Sequence, residues 1–400
     1  MMLSLLVAVG TTIVVQPAGP VRTLTQALAL ARAGDRIEVR TGRYREPRIV
    51  VGVRVEIVGI GGPVFEGGAH TTLEVIADSV VIRGLQFDRV TPSATDDRAA
   101  ILLRAVRGCR IEDNVIRAAY FGIYAMRAAD CLIARNHLSG PAGAEATSGN
   151  GIHLWQSSRM TVLANTVSAH RDGIYLEFVR ESVVRGNLVI QNRRYGLHFM
   201  RSDSCSYTGN RFRENGAGVA VMYSRGVTIT DNRFERNWGS AAYGLLLKEI
   251  SDGTVRNNRF TGNTVGLYLE DSNRNRVTGN LFQGNGWAVK VLANATDNRF
   301  EGNSFAGNTF DVATNSRTAS SSFDGNFWDQ YSGYDLDRDG VGDVPYRPVR
   351  LFSLVVEQHE PALILLRSPF VDLLEAAERL MPILTPDALS DRRPLMARPR

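Results

Sequence analysis

Gly173-Ile174-Tyr175-Leu176, Gly196-Leu197-His198-Phe199 and Gly218-Val219-Ala220-Val221 are three copies of one unit, a glycine followed by apolar, variable and apolar positions. The unit recurs at Gly122-Ile123-Tyr124-Ala125, Gly151-Ile152-His153-Leu154, Gly244-Leu245-Leu246-Leu247 and Gly266-Leu267-Tyr268-Leu269. Alternation of apolar and variable residues is the period-2 signature of a strand with one buried face. The variable positions should then point outward together. Two residues after each glycine they read Tyr124, His153, Tyr175, His198, Ala220, Leu246 and Tyr268. Four residues after, they read Met126, Trp155, Glu177, Met200, Met222, Lys248 and Glu270. A surface stripe of His, Met, Tyr and Trp is the first place to look for function.

An independent series supports the repeat. Asparagines lead an N-x-apolar unit at Asn114, Asn136, Asn165, Asn187, Asn210, Asn232, Asn258, Asn280 and Asn303, in steps of 22, 29, 22, 23, 22, 26, 22 and 23 residues. The glycines step by 29, 22, 23, 22, 26 and 22. Matching irregularities place insertions between Asn136 and Gly151 and between Asn232 and Gly244. Inward columns precede each Asn (Ile111, Ile133, Val162, Val184) and follow it (Phe212, Phe234, Phe260, Phe282), and a second Asn column begins at Asn192 with His170 in the preceding place. Three short strands per ~22-residue coil, with Asn at the turns, predict an all-β right-handed parallel β-helix. Asn is expected to supply left-handed turn angles and to bond its neighbours along the axis.

Around this core, residues 11–328 are expected to form the solenoid, 329–350 an Asp-rich closing loop and 351–400 a C-terminal extension with a short helix. Thr23 to Ala33 reads as a capping helix with Leu24, Leu28 and Leu30 on its buried side. Pro369 to Leu380 reads as an amphipathic helix with Phe370, Leu373, Leu374 and Leu380 on one face, stopped by Pro382. Residues 1–10 are apolar with small residues at Ala8 and Gly10, which suits the end of a truncated secretory signal or a first strand. No stretch approaches the ~20 consecutive apolar residues of a spanning helix.

The net charge of +5 is carried almost wholly by Arg, with only Lys248 and Lys290 as lysines. No basic run is interleaved with aromatics, so nucleic acid is not an expected partner. Cys109, Cys131 and Cys205 share an inward column with Met160, which reads as buried thiols rather than a disulfide framework or a Cys-based zinc site.

Three constellations could carry chemistry. His198, Met200 and Met222 fall on one outward edge of neighbouring coils, with His153 and Met126 as outer members. Imidazole and thioether together favour soft Cu(I). The same stripe also reads as a protein-docking face, or as a ledge filled under loops. Asp335-Leu-Asp337-Arg-Asp339-Gly-Val-Gly-Asp343 resembles the start of a Ca²⁺ loop, with Tyr346 where the bidentate Glu would stand. Carbohydrate chemistry is the alternative for this fold: a polysaccharide lyase, hydrolase or carbohydrate-binding protein would draw on Asp172, Glu177, Lys248, Glu249, Glu270 or Asp271. Lys248 and Glu270 read more simply as a salt bridge, and no compact acidic dyad stands out.

The coils, the stretch Tyr243-Gly-Leu-Leu-Leu-Lys248, the closing Asn326-Phe-Trp-Asp-Gln-Tyr-Ser-Gly-Tyr-Asp335, the Asp337–Tyr346 segment and the Ser368-Pro369 tail together resemble the NosD family, over essentially the entire chain. These are periplasmic β-helix maturation proteins of nitrous oxide reductase. The resemblance implies a non-enzymatic role in copper delivery and copper–sulfur cluster assembly. The implied location is periplasmic, peripheral to the inner membrane on an ABC transporter of permease and ATPase subunits, with a copper chaperone and nitrous oxide reductase as further partners. It also implies that the tail from Phe352 to Leu380 docks the permease.

Overall fold

The computed structural model describes residues 10–93, 95–143, 145–239, 242–315, 320–380 and 389–399. The signal-like residues 1–9, the Leu380 side chain and Pro382 lie outside them. The chain divides into two compact units, Met1–Arg194 and Tyr195–Arg400. Within each, three parallel sheets are built from strands mostly of three to six residues. Within each unit an interior coil contributes one strand to each sheet, paired with its neighbouring coils. In the second unit a coil runs Ala217–Met222, Thr228–Thr230 and Arg233–Glu235, in the third, first and second sheets respectively.

Hydrophobic columns fill the interior. Phe212, Phe234, Phe260, Phe282, Phe305 and Trp328 stack ring on ring at 4.1–5.5 Å, all fully buried. Such spacing follows from one aromatic per coil at a rung separation of ~4.8 Å. Ile111, Ile133, Val162 and Val184 form the matching aliphatic column of the first unit.

The corners are held by side-chain ladders. From Asn210 to Asn326, each Asn donates both its backbone N–H and its Nδ2 to the Oδ1 of the next, at 2.9–3.0 Å: Asn210→Asn232, Asn232→Asn258, Asn258→Asn280, Asn280→Asn303 and Asn303→Asn326. The expected bonding is therefore present, but the expected backbone angle is not. The left-handed residue is the one before each Asn: Asp113, Arg135, Ala164, Gly186, Gly209, Asp231, Asn257, Gly279, Gly302 and Gly325 all have φ between 54° and 65°. With its predecessor making the turn, the Asn side chain points inward, where its amide meets the next one. A serine column does similar work at the third corner, where Ala128, Ser202 and Ile250 donate their N–H groups to Ser157, Ser224 and Ser272.

Both asparagine columns of the second unit end on a carboxylate. Asp391, fully buried, accepts from the N–H of Gly325, the N–H and Nδ2 of Asn326 and the indole of Trp328, at 2.9–3.1 Å. A carboxylate has acceptors only, so it closes the ladder without leaving a donor that needs another coil. The second column ends at Asn308, whose Nδ2 reaches Asp311 at 3.2 Å. Neither terminus was anticipated from sequence.

Helix α1 (Leu24–Leu30) packs on the first coils through Leu24 and Ala27, while Leu30 is 64% exposed, against expectation. Its first turn is anchored by Glu46, which accepts from the N–H groups of Leu24 and Thr25 at 2.8 and 2.9 Å, as a helix N-terminus favours. That anchor sets the rotation and turns Leu30 to solvent. Helices α2 (Leu351–Gln358) and α3 (Pro369–Leu380) follow the last coil. Here too the rotation differs: Phe352, Val356 and Val371 are buried with Phe310, with Leu374 packed against them. Phe370 and Leu373 are exposed, because α3 meets α2 through Val371 and Leu374. In the first unit, the insertion after Asn136 is tied down by Arg193, which donates to Ser148 Oγ at 2.7 Å and to the carbonyls of Gly143 and Pro141.

Candidate functional site

The outward positions of the third sheet line up as the period-2 reading requires. In the first unit Leu102, Tyr124, His153 and Tyr175 are register partners, and so are Arg104, Met126, Trp155 and Glu177. In the second unit His198, Ala220, Leu246, Tyr268 and Lys290 form one row, and Met200, Met222, Lys248 and Glu270 the next.

The expectation of an open surface stripe is wrong for the first of these rows. His153 and His198 are only 8% and 4% exposed, and Tyr124, Tyr175, Ala220 and Leu246 are buried too. Residues one rung apart sit at ~4.8 Å, so broad side chains cover one another. His153 is sandwiched between Tyr124 and Tyr175, with ring centroids at 4.6 and 4.7 Å, and Phe121 lies at 5.6 Å. Burial pushes the Tyr124 hydroxyl up to about 12 and Tyr175 higher still, with Glu177 adding to both. His198 is covered by Tyr195, at 4.9 Å. The second row is half-buried: Met126, Trp155, Met200 and Met222 all keep an accessible edge.

His198 and Met200 therefore lie two residues apart on one face of Tyr195–Met200, and Met222 lies directly beside Met200 on the next strand. This brings one imidazole and two thioethers to one patch of sheet. They are soft and borderline donors with no carboxylate among them, which fits Cu(I) better than a hard cation. Met126 lies apart from His153 in the register, one row over, beside Trp155. It opens instead into a 440 Å³ cavity shared with Tyr124, His70, Arg98 and Arg104. His70 belongs to no repeat, and its place there was not legible in the sequence.

Lys248 and Glu270 form the expected salt bridge at 2.8 Å, and that bond holds the lysine above its usual pKa. Asp172 is fully buried and engages Arg194 through both oxygens at 3.1 Å. Glu177 lies 4.0 Å from His153. The carboxylates that a glycan-cleaving site would need are thus committed to ion pairs or spread along the face.

In the closing loop, Asp335, Asp337 and Asp339 bring carboxylate oxygens within 4.8 Å of one another. Asp343 is not in that group; its Oδ2 accepts from the Leu336 N–H at 2.7 Å and braces the loop. The Asp339 N–H favours the Asp337 carboxylate, but the Asp339 charge, desolvation and a hydrogen bond with Asp335, with the Asp343 charge adding, outweigh it and leave Asp337 above its usual pKa. A cation would relieve that repulsion.

Sheets, ladders and coil length define the class, and residues 74–204 match the right-handed β-helix region family. Residues 140–333 match the family described as periplasmic copper-binding protein (NosD). The chain is 31% identical over 386 residues to a probable ABC transporter binding protein NosD of Stutzerimonas stutzeri, across 85% of this chain and 81% of that one. It is 30% identical over 409 residues to the protein so described from Pseudomonas aeruginosa, across 93% and 91%. The chain belongs to the NosD family. Among solved structures, a mannuronic acid specific family 6 lyase from human gut microbiota superposes with a TM-score of 0.62 at 12% identity, covering 93% of this chain and 99% of that one. The A-module of the mannuronan C-5 epimerase AlgE4 from Azotobacter vinelandii gives 0.52 at 17% identity, covering 76% and 88%. At those identities the likeness is one of fold alone.

Proposed function

We propose that this chain is a periplasmic accessory protein that handles Cu(I) for the assembly of the copper–sulfur cluster of nitrous oxide reductase. The observation that carries the reading is the register of His198, Met200 and Met222, three donors suited to Cu(I) on adjacent strands. Half-buried thioethers bind Cu(I) weakly enough to pass it on, and a cargo site needs that more than it needs affinity. His153 and Met126 are outer members, in the row and beside the cavity of the first unit. The partners on this reading are a copper chaperone, the reductase, and the permease and ATPase of an ABC transporter.

The tail from Phe352 to Leu380 is the proposed dock for the permease, holding the protein peripheral to the inner membrane. Ile364 is 90% exposed and Leu373 67%, with Phe370 also open, and apolar surface of that kind is stable when a partner covers it. The Asp335, Asp337 and Asp339 loop is assigned to Ca²⁺, in a structural role. Replacing Met200 and Met222 together by Leu should leave the fold intact and abolish copper loading of the reductase. Normal loading in that variant removes these residues from the pathway.

A further inference from the structure

The third corner of the first unit carries a column that the copper-handling face does not use. Strand registers Arg110↔Leu132 and Leu132↔Thr161 place Cys109, Cys131 and Met160 on three consecutive coils, one residue before each strand. Three sulfurs therefore stack along the axis. All are buried, Cys109 at 0% exposure and Cys131 and Met160 at 1%. Both cysteines are free thiols.

The two thiols are arranged around each other. The Cys109 N–H donates to Cys131 Sγ at 3.3 Å. The Cys109 thiol faces the carbonyls of Ala77 and Arg107 at 3.5 and 3.7 Å, and the Cys131 thiol those of Ala129 and Val106 at 3.1 and 3.9 Å. The hydrogen bond between the thiols holds Cys109 below its usual pKa and, with burial, holds Cys131 above it.

Rung geometry decides what such a pair can hold. Neighbouring strands lie ~4.8 Å apart. A disulfide needs Cβ atoms ~3.8 Å apart, so closing one here would pull two hydrogen-bonded coils together. Two metal–thiolate bonds of about 2.3 Å each span about 4.6 Å, which matches a rung. Thiolates select soft Cu(I).

We propose that Cys109 and Cys131 form a second, buried Cu(I) site, bridged between adjacent coils. Binding is Cu⁺ + 2 R–SH → [R–S–Cu–S–R]⁻ + 2 H⁺, with no change of oxidation state. The metal replaces the two thiol protons, and the Cys109 N–H remains on the Cys131 sulfur. Met160 extends the column by one coil, beyond a metal centred between the thiols. The site deepens the copper reading and rests on it, but it is built from different residues than the exchange face. It would retain copper rather than pass it on, because both cysteines are buried and exchange requires local opening.

The test is an anaerobic titration of the full chain with Cu(I) against a chromogenic Cu(I) chelator. It is read by the ultraviolet thiolate-to-Cu(I) charge-transfer band and by the sulfur count in copper X-ray absorption. Wild type should bind one chelator-resistant equivalent, slowly, with two sulfurs and a full band. Met200→Leu with Met222→Leu should keep that band, while Cys109→Ser and Cys131→Ser each lose it at unchanged thermal unfolding. A band that persists in either serine variant overturns the site. So does wild-type copper with nitrogen and a single sulfur around it. If a serine variant fails to fold, the wild-type sulfur count decides alone. Loss of reductase loading in the methionine variant with the band intact separates failure of the exchange face from failure of this site.

Discussion

At Asn210, Asn232 and Asn258, three successive coils repeat one residue and one bonding pattern. At His198, Ala220 and Leu246 the same coils carry three unrelated side chains in equally exact register. The corner must satisfy buried amides, and a side chain that both donates and accepts can do so coil after coil. The outer face has no such obligation. A strand there requires only that every second residue be apolar, which leaves the other positions to be set by what the face handles. Stability should therefore concentrate at the corners, and function on the face.

The sharpest way to break that contrast is at the end of the ladder. Asp391→Ala strands five donors at once, those of Gly325, Asn326 (two), Trp328 and Arg393, and removing one partner from a buried charged hydrogen-bond network costs about 3–5 kcal/mol. Denaturant unfolding should show a loss of that order, with Asp391→Asn losing less because one oxygen still accepts. A loss below ~1 kcal/mol would mean that the ladder's end is not a stabilising element.

The next test uses His170, which stands one coil before Asn192 in the place that asparagine takes from there on. His170 is fully buried, its N–H bonds Asn192 at 3.0 Å, and neither ring nitrogen has a partner among the described residues. Burial and the Arg193 charge depress its pKa to about 3. The unfolded chain, titrating at about 6.5, takes up the proton first. Stability from this group is therefore full above pH ~6.5 and falls by up to ~1.4 kcal/mol per pH unit as acid is added. His170→Asn should flatten that slope and restore the amide column.

Asp311, at the end of the second unit's column, has the opposite sign. Burial raises it to about 7, so the folded state holds a proton that the unfolded state has lost, and stability declines as pH rises from about 4 to 7. Asp311→Asn should be more stable than wild type at pH ~8 and indistinguishable from it in acid. The smallest effect belongs to the face. Met200→Leu with Met222→Leu conserves volume and should change unfolding free energy by less than ~1.5 kcal/mol, although copper loading is lost. A large destabilisation there would show that the face, too, is structural.

How far the sequence discloses this molecule follows from the same contrast. The solenoid was readable because two periodic series, Gly122 to Gly266 and Asn114 to Asn303, share their irregularities, and coincidence of that kind has no other simple source. The facing of His198, Met200 and Met222 was readable because a strand has period 2. Their covering was not, because burial of an outward residue depends on the neighbouring rungs: His153 is hidden by Tyr124 and Tyr175, which lie 29 and 22 residues away in sequence. Asp391 was invisible for a related reason. It lies 65 residues from Asn326 in a segment with no repeat, so nothing local marks it as the last member of a ladder. The rotation of α3 was missed because an amphipathic stripe as broad as Phe370, Val371, Leu373 and Leu374 does not say which edge meets α2.

The ladder from Asn210 to Asn326 also has a direction. From Asn232 on, every Oδ1 accepts from the preceding coil, while each Nδ2 donates both to the following member and to a carbonyl of the preceding coil, so the amide carbonyl dipoles add head to tail along the axis as peptide dipoles do in a helix. The end at Asn326 is the positive pole. Asp391 sits on that pole, an anion at the end of a row of aligned dipoles. The carboxylate therefore meets the field of the whole row as well as the five donors it touches, and an uncharged acceptor of the same shape would not match it.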